Sequence, residues 1–358
     1  MRDMLPTPIG MTNVSAVESR LANGVPFGSY QHISSNLSAI YAELLALVAT
    51  RSSAAAKLLQ ELEHVDHGCR EVVFRDSLVR RTIEDGVCGI VQGADAIDST
   101  TLDKLLLATA EKSVTTRRPL LNETADIIPF GPQDHFSWHA WTDDHPATPA
   151  GRRFQQEVLK RLPGFRIEVP SADQIGMLDE GARLGLRIVP DLVRSAMSHA
   201  FMVVVGEFTG GEHHFKALTT PGLPGVIILS PNAFSGAFDM AETLLHESLH
   251  LKFLDIDYVS PLFTPGFRSA GSPRVTPVWH QDRPGYGNWP IDRVLTSMHV
   301  YLTLAVFLEN AGSERAAQCR TRSAWLFENV QCHLGLLTPA GREFVASIGE
   351  MLAVLSDR

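Results

Sequence analysis

Basic residues are outnumbered in this chain. There are 31 Lys and Arg against 40 Asp and Glu, which gives a formal net charge of −9. No stretch offers the basic stripe that phosphate contacts require, so nucleic acid is not an expected partner. Peptides and small molecules remain open as substrates, because the field at one site can differ from that of the whole chain.

Cysteine is also scarce. The chain has four cysteines, widely spaced and without a CxxC pair: Cys69, Cys88, Cys319 and Cys332. This spacing argues against a disulfide framework and against a sulfur-rich zinc site, and it fits reduced thiols in a cytoplasmic protein.

Long apolar runs are missing as well. The first twenty residues lack the unbroken apolar stretch of a signal peptide, and later stretches are interrupted within about ten residues. We therefore expect no membrane span and a cytoplasmic location. The chain also lacks G-x-S-x-G, a phosphate loop and a dinucleotide fingerprint.

The 358 residues, of which 44% are hydrophobic, can bury a sizeable core. Apolar spacing of three and four residues predicts helix over 36–64, with further helical pattern to about 117. The aromatic, acidic and Pro/Gly-punctuated stretch 131–151 predicts a loop and a boundary. We assign 1–150 to a mostly helical region of unknown role and 151–358 to a catalytic region, with one continuous domain as the alternative.

The sequence pattern changes in the second half of the chain. Short apolar runs bounded by Gly or Pro predict strands at 164–169, 200–208 and 225–231. A D-x-x-E capping box at Asp239 and Glu242 predicts the start of a helix. A Pro/Gly-rich loop at 259–290 and three helices follow, at 291–311, 313–334 and 338–356. The predicted fold is α+β and predominantly helical, with a small sheet beside the HExxH helix and C-terminal helices completing the site.

The sequence ETLLHESLHLKF contains an H-E-x-x-H motif. A spacing of four residues places His246 and His250 on one helical face, one turn apart, where they can share a metal ion. Glu247 falls beside the ion, where it can act on a bound water or orient a ligand. Because polar groups in an apolar helix need partners, these three residues predict a divalent metal site.

A tight metal site needs a third ligand, which we expect later in the sequence than His250. The HxxGxxH extension of one zinc peptidase class is absent, since LKFLDI follows His250. The helix 291–311 carries a narrow polar stripe made of Asp292, Thr296, His299 and Thr303. His299 is the preferred third ligand, with the acids Asp282 and Glu309 as alternatives.

Residues 223–310 resemble the HExxH-motif peptide-modification proteins found with ribosomally made peptide natural products. Four features occur in the family's order: PGVIILSP, the HExxH helix, the element Trp279-His280-Gln281-Asp282-Arg283-Pro284, and an apolar helix with His299 at its centre. His280 stands where the family is expected to have Arg, and GYGNW at 285–289 resembles an insertion.

The resemblance implies an iron(II)- and 2-oxoglutarate-dependent oxygenase that hydroxylates a side-chain β-carbon of a precursor peptide, which can carry a leader. It implies iron at His246, His250 and His299, with an arginine holding the distal carboxylate of 2-oxoglutarate. Three His ligands also suit zinc with one open position, so a zinc hydrolase with Glu247 as general base is the alternative.

Two arginines are candidates for the carboxylate clamp, because a guanidinium pairs with a carboxylate in bidentate fashion. Arg283 is preferred, since it lies in the family-like element, and Arg293 is the second candidate. Trp279, Trp138 and Trp141 are candidates for contacting the peptide, and core packing is the alternative for the last two. The oligomeric state is left open.

Overall fold

A computed structural model describes residues 9–92, 99–114, 126–129, 137–142, 144–209, 215–280 and 287–356. It confirms a predominantly helical α+β fold. Contacts divide the chain into a first unit (Met1–Tyr30, Gly185–Ala196 and Lys252–Arg358) and a second unit (Gln31–Leu184 and Met197–Leu251). The division near residue 150 stays a prediction.

Helices dominate the N-terminal part of the chain. They are α1 (Ile9–Asn23), α2 (Tyr30–Ala49), α3 (Ser53–Glu63), α4 (His67–Arg75), α5 (Ser77–Gln92) and α6 (Ser99–Ala108), followed by a π-helical turn at Thr109–Val114. The predicted helix over 36–64 is confirmed, with a break at residues 50–52 that divides it into α2 and α3. The chain leaves the helix before Ser52, whose hydroxyl accepts a hydrogen bond from the Ala55 amide over 3.0 Å. This N-cap starts a new helix, because it satisfies an otherwise unpaired amide.

A mixed sheet lies in the second unit. Its strands are β1 (Asp126–Pro129), β2 (Ser137–Ala140), β3 (Phe165–Glu168), β4 (Met202–Phe208), β5 (Ala217–Leu218) and β6 (Val226–Leu229). The order is β1-β2-β4-β6-β5, and β3 pairs with β4. β4 runs parallel to β2 and β6, and β5 runs antiparallel to β6. All four residues of β6 are buried, which explains its unbroken apolar sequence. The three predicted strands are confirmed.

The predicted loop at 131–151 is only partly a loop. Residues 131–136 lie outside the described part, but Ser137–Ala140 forms β2, and α7 (Pro149–Arg161) begins within the predicted loop. The Thr148 hydroxyl accepts a hydrogen bond from the Gly151 amide and caps α7. The aromatic residues that suggested a loop include Trp138, which is fully buried in the sheet.

The middle of the chain contains three more helices: α8 (Ala172–Ile188), α9 (Pro190–Met197) and α10 (Ala237–Val259), which carries the HExxH motif. The predicted capping box was wrong. α10 starts at Ala237, so Asp239 lies within its first turn, and its carboxylate accepts a hydrogen bond from the Ser235 hydroxyl over 2.8 Å. An acidic residue in the first turn still favours the helix through the helix dipole.

The C-terminal part follows the sequence prediction closely. The loop after α10 contains short 3-10 turns, at Ser269–Gly271 and Val278–His280, and the antiparallel pair β7 (Arg274–Val275) and β8 (Trp289–Pro290). The three predicted helices are confirmed as α11 (Ile291–Asn310), α12 (Arg315–Gln331) and α13 (Pro339–Ser356). The Thr338 hydroxyl caps α13 by accepting from the Gly341 amide over 3.1 Å.

Two described helices, α2 and α11, are long and apolar enough to span a membrane by length and composition alone. In the most apolar window of α11, 78% of the residues are buried inside the protein, as in the core helix of a globular fold.

Candidate metal centre

His246 and His250 face each other on α10 in the second unit. Their Nε2 atoms are 3.1 Å apart, and their ring centroids are 4.9 Å apart. Both rings are partly exposed, which leaves the pair open on one side. The structure therefore brings together the two histidines that the helical spacing pairs.

The distance between the two nitrogens fits a shared metal ion. Nitrogens bound about 2.0–2.2 Å from one ion at a right or tetrahedral angle are about 2.8–3.6 Å apart. The same distance also allows a hydrogen bond from one neutral imidazole to the other. The pKa of His246 is lowered to about 4, first because burial disfavours the charged ring and then because Lys216 repels it. At neutral pH His246 is therefore uncharged, which is the form that binds metals.

Glu247 lies deeper than the histidines. Its side chain is 8% exposed, against 38% for His246, and its Oε1 is 3.9 Å from His246 Nε2. Burial raises the pKa of Glu247 to about 8, while a hydrogen bond from Thr219 acts in the opposite direction. The carboxyl group is thus protonated at neutral pH when no cation is near. A divalent ion beside it would favour the ionised form.

Lys216 and Thr219 are two residues near the pair that the sequence prediction missed. They flank β5, the edge strand of the sheet, and the Lys216 carbonyl accepts from the Ser230 amide over 3.0 Å. This pairing holds β5 next to β6, which leads into α10. A two-residue strand has no recognisable sequence pattern, so only its pairing could show that both side chains lie near the motif.

His299, the predicted third ligand, lies on α11 in the first unit. Its side chain is 3% exposed, and its ring centroid is 5.7 Å from that of Phe344 on α13. The two threonines of the polar stripe bond within their own helix: Thr296 donates to the Asp292 carbonyl and Thr303 to the His299 carbonyl. Local hydrogen bonds, which threonine commonly makes in helices, therefore account for the two threonines of the stripe.

In the part of the chain that the structure describes, no group of three or more His, Cys, Asp or Glu side chains is arranged to hold a metal ion. Asp282, one alternative ligand, lies outside that part. Glu309, the other, lies near the end of α11 with its carboxylate 3.9 Å from Arg320. The third ligand stays a prediction.

Arg283, the preferred clamp for the keto acid, lies outside the described residues. Arg293 lies in the first turn of α11, and its Cζ is 4.4 Å from the centre of the Trp289 ring. Trp279 is partly exposed and packs on Trp289 in the same region, with ring centroids 6.2 Å apart.

Trp138 and Trp141 belong to the interior of the second unit. Trp138 is fully buried and its Nε1 donates to the Met197 carbonyl over 3.0 Å. Trp141 is 3% exposed and stacks on Phe154 and His145. Of the two alternatives for these side chains, peptide contact and core packing, the structure places both in the core.

No protein-family model matches this chain, and no curated protein matches its sequence. The resemblance described above therefore depends only on the order of its four sequence features.

Proposed function

We propose that this protein is an iron(II)- and 2-oxoglutarate-dependent oxygenase that hydroxylates a side-chain β-carbon of a peptide. The observation that carries the proposal is the 3.1 Å separation of the His246 and His250 Nε2 atoms on a helix with the H-E-x-x-H motif. The ordered resemblance over residues 223–310 supplies the choice of chemistry. In this proposal His299 is the third ligand.

The donor set suits a divalent transition metal. Imidazole nitrogen binds iron and zinc well, and three protein ligands leave positions open for a chelating acid. When bound, iron and 2-oxoglutarate supply the oxygen chemistry: one atom of O2 enters the peptide C–H bond, the other enters succinate, and CO2 is released.

The remaining groups around the pair have defined tasks in this proposal. Glu247 orients the ligands of the ion from inside the fold, and the Thr219 hydroxyl holds that carboxyl group in place. Lys216 supplies a positive charge near His246, which favours an anionic cosubstrate at the open side of the pair. Arg283 is the proposed partner of the distal carboxylate.

A zinc hydrolase is the second candidate. The observation in its favour is the position of Glu247, whose Oε1 is 3.9 Å from His246 Nε2 and so beside the place of an ion. In such an enzyme zinc would activate a water, and Glu247 would accept a proton from it after losing the proton that burial holds on the carboxyl group.

The peptide substrate, the absence of nucleic acid and membrane partners, and the cytoplasmic location are parts of the same proposal. They follow from the acidic composition, the reduced cysteines and the resemblance.

The deciding experiment is a turnover assay on the full chain, loaded with iron anaerobically. We expect succinate release from 2-oxoglutarate that needs both Fe(II) and O2 and that rises with the right peptide. The zinc-loaded protein is assayed in parallel, and peptide cleavage is the activity measured. If iron-loaded protein binds no keto acid by calorimetry while zinc supports cleavage, the hydrolase replaces the oxygenase.

A further inference from the structure

Three aromatic side chains gather around Trp279 in the first unit. The Trp279 ring makes edge-to-face contacts with three rings, at centroid distances of 6.2 Å to Trp289, 5.9 Å to Tyr301 and 5.4 Å to Trp325. These residues come from the turn Val278–His280, β8, α11 and α12. We call Trp279, Trp289, Tyr301 and Trp325 the Trp279 cluster.

Two arginines lie on this cluster. The Cζ of Arg293 is 4.4 Å from the centre of the Trp289 ring, and the Cζ of Arg322 is 5.2 Å from that of Trp279 and 5.4 Å from that of Tyr301. Both are cation–π distances.

Among the residues that the structure describes, no carboxylate neutralises the charge of the two arginines. Within the described residues, neither guanidinium has a carboxylate oxygen within 4 Å, in contrast to Arg20, which pairs with Glu350 over 2.6 Å. Burial raises the pKa of Tyr301, so its hydroxyl is neutral and adds no negative charge. Two positive charges thus lie against the Trp279 cluster, in a chain whose net charge is −9.

A cation–π contact does not use up the hydrogen-bonding capacity of a guanidinium. The group has five N–H donors, and those that do not face the ring can still bind a carboxylate. The fork that these donors form matches the two oxygens of a carboxylate. Arg293 is exposed, Trp279 and Trp325 are partly exposed, and Val278 beside them is 52% exposed. Solvent therefore reaches Arg293 and the apolar rings. Arg322 is partly exposed, with its Nε buried and a hydrogen bond to the Tyr301 hydroxyl.

We propose that the Trp279 cluster, with Arg293 and Arg322, binds an acidic segment of the peptide substrate. Its Asp or Glu carboxylates pair with the two guanidinium groups, and neighbouring apolar side chains lie on the exposed ring edges. The charge selects a carboxylate, and the partly exposed rings beside it suit a peptide better than a free small acid. The peptide nature of the ligand is taken from the proposed function, but none of these six residues is a proposed metal ligand.

The test is a binding titration of the metal-free full chain, without keto acid or turnover. The probe is an N-acetylated, C-amidated heptapeptide, Leu-Asp-Glu-Leu-Asp-Glu-Leu, and its matched control replaces Asp by Asn and Glu by Gln. Three of the five tryptophans belong to the cluster, so intrinsic fluorescence reports occupancy, and calorimetry checks it independently. We expect saturable binding of the acidic peptide and at least about ten-fold weaker binding of the amide peptide.

Substitutions of the two arginines test whether the peptide binds at this site. Arg293→Gln and Arg322→Gln should each weaken the acidic peptide by about ten-fold, because one bidentate pair is lost. Arg293→Lys and Arg322→Lys retain the charge without the fork of N–H groups. Their affinity for the acidic peptide should lie between that of the wild type and that of the Gln variants. Arg342→Gln is the matched control, since Arg342 is an exposed arginine of the same unit without a ring contact, and it should bind normally. Thermal unfolding confirms that each variant is folded.

Three results would overturn the proposal. The first is equal binding of the acidic and amide peptides. The second is unchanged binding by folded Arg293→Gln and Arg322→Gln variants, which would leave the arginines with a packing role only. The third is displacement of the peptide by 2-oxoglutarate alone, which would mark a small-acid site. Because the assay needs no metal, failure of the oxygenase proposal in the turnover assay would not change its outcome.

Discussion

His246 Nε2 lies 3.9 Å from Glu247 Oε1, and burial shifts the pKa values of the two groups in opposite directions, so that both favour their neutral forms. In the metal-free protein the pair is thus a neutral imidazole beside a protonated carboxyl. A bound divalent ion would favour the ionised form of Glu247, because its positive charge stabilises the carboxylate.

Glu247→Gln should stabilise the metal-free protein, increasingly so as the pH rises. The folded-state pKa of Glu247 is about 8, above its usual value of 4.5, so its contribution is fully present below pH 4.5 and is lost as the pH rises towards 8. Glutamine does not titrate, and the gain at pH 8 should be on the order of a few kcal/mol. Thermal unfolding in EDTA from pH 5 to 8 measures it. A difference between variant and wild type that stays constant over this range would contradict the prediction.

The histidines should control metal binding. His246→Ala and His250→Ala should each abolish stoichiometric binding of Fe(II) or Co(II), measured by elemental analysis and by cobalt absorbance, because two ligands rarely hold a tight site. His299→Ala should weaken binding more than about ten-fold if it supplies the third nitrogen. His64→Ala, at an exposed histidine after α3, is the control and should bind normally. Full metal binding by His299→Ala would remove His299 from the site and direct attention to Asp282 and Glu309.

Arg283 and Arg293 should bind different ligands, Arg283 the keto acid and Arg293 the acidic peptide. Arg283→Ala should weaken 2-oxoglutarate binding to the iron-loaded protein by tens-fold, since losing a buried carboxylate partner costs about 2–5 kcal/mol. Arg283→Lys should recover only part of this, because a lysine makes a single point contact. Arg293→Gln should leave the keto acid affinity unchanged. Calorimetry under anaerobic conditions is the measurement, and the reverse pattern would identify Arg293 as the clamp.

Lys252 should stabilise the first unit. It is fully buried, and its Nζ donates to the Leu21 carbonyl, the Gly28 carbonyl and the Ser195 hydroxyl over 2.7–2.8 Å. Burial lowers its pKa to about 7, yet three acceptors match the three N–H groups of an ammonium.

Lys252→Met should therefore lower the free energy of unfolding by about 1–3 kcal/mol, because buried acceptors lose their donor. Chemical denaturation measures this effect, with Lys160→Met at an exposed lysine as the control. A more stable Lys252→Met variant would mean that the cost of burying the amine exceeds the value of its hydrogen bonds.

Much of the fold could be predicted from local patterns. The strands at 200–208 and 225–231 have long apolar runs, because Met202–Gly206 and Val226–Leu229 are buried, and α11 to α13 begin and end near recognisable cap residues. The break at Ser52 and the start of α10 were missed for a common reason. A short polar side chain caps a helix only if the backbone turns there, and neighbouring residues do not decide that turn.

The sequence by itself determined the facing pair on α10, because a spacing of four residues brings two side chains together on any α-helix. Tertiary structure alone decided what surrounds that pair. Strand pairing brings Lys216 and Thr219 to the motif, and burial sets the pKa of Glu247. The Trp279 cluster likewise joins a turn, a strand and two helices that are separated along the chain. Such contacts depend on how elements pack, and packing is a property of the whole chain that local spacing does not encode.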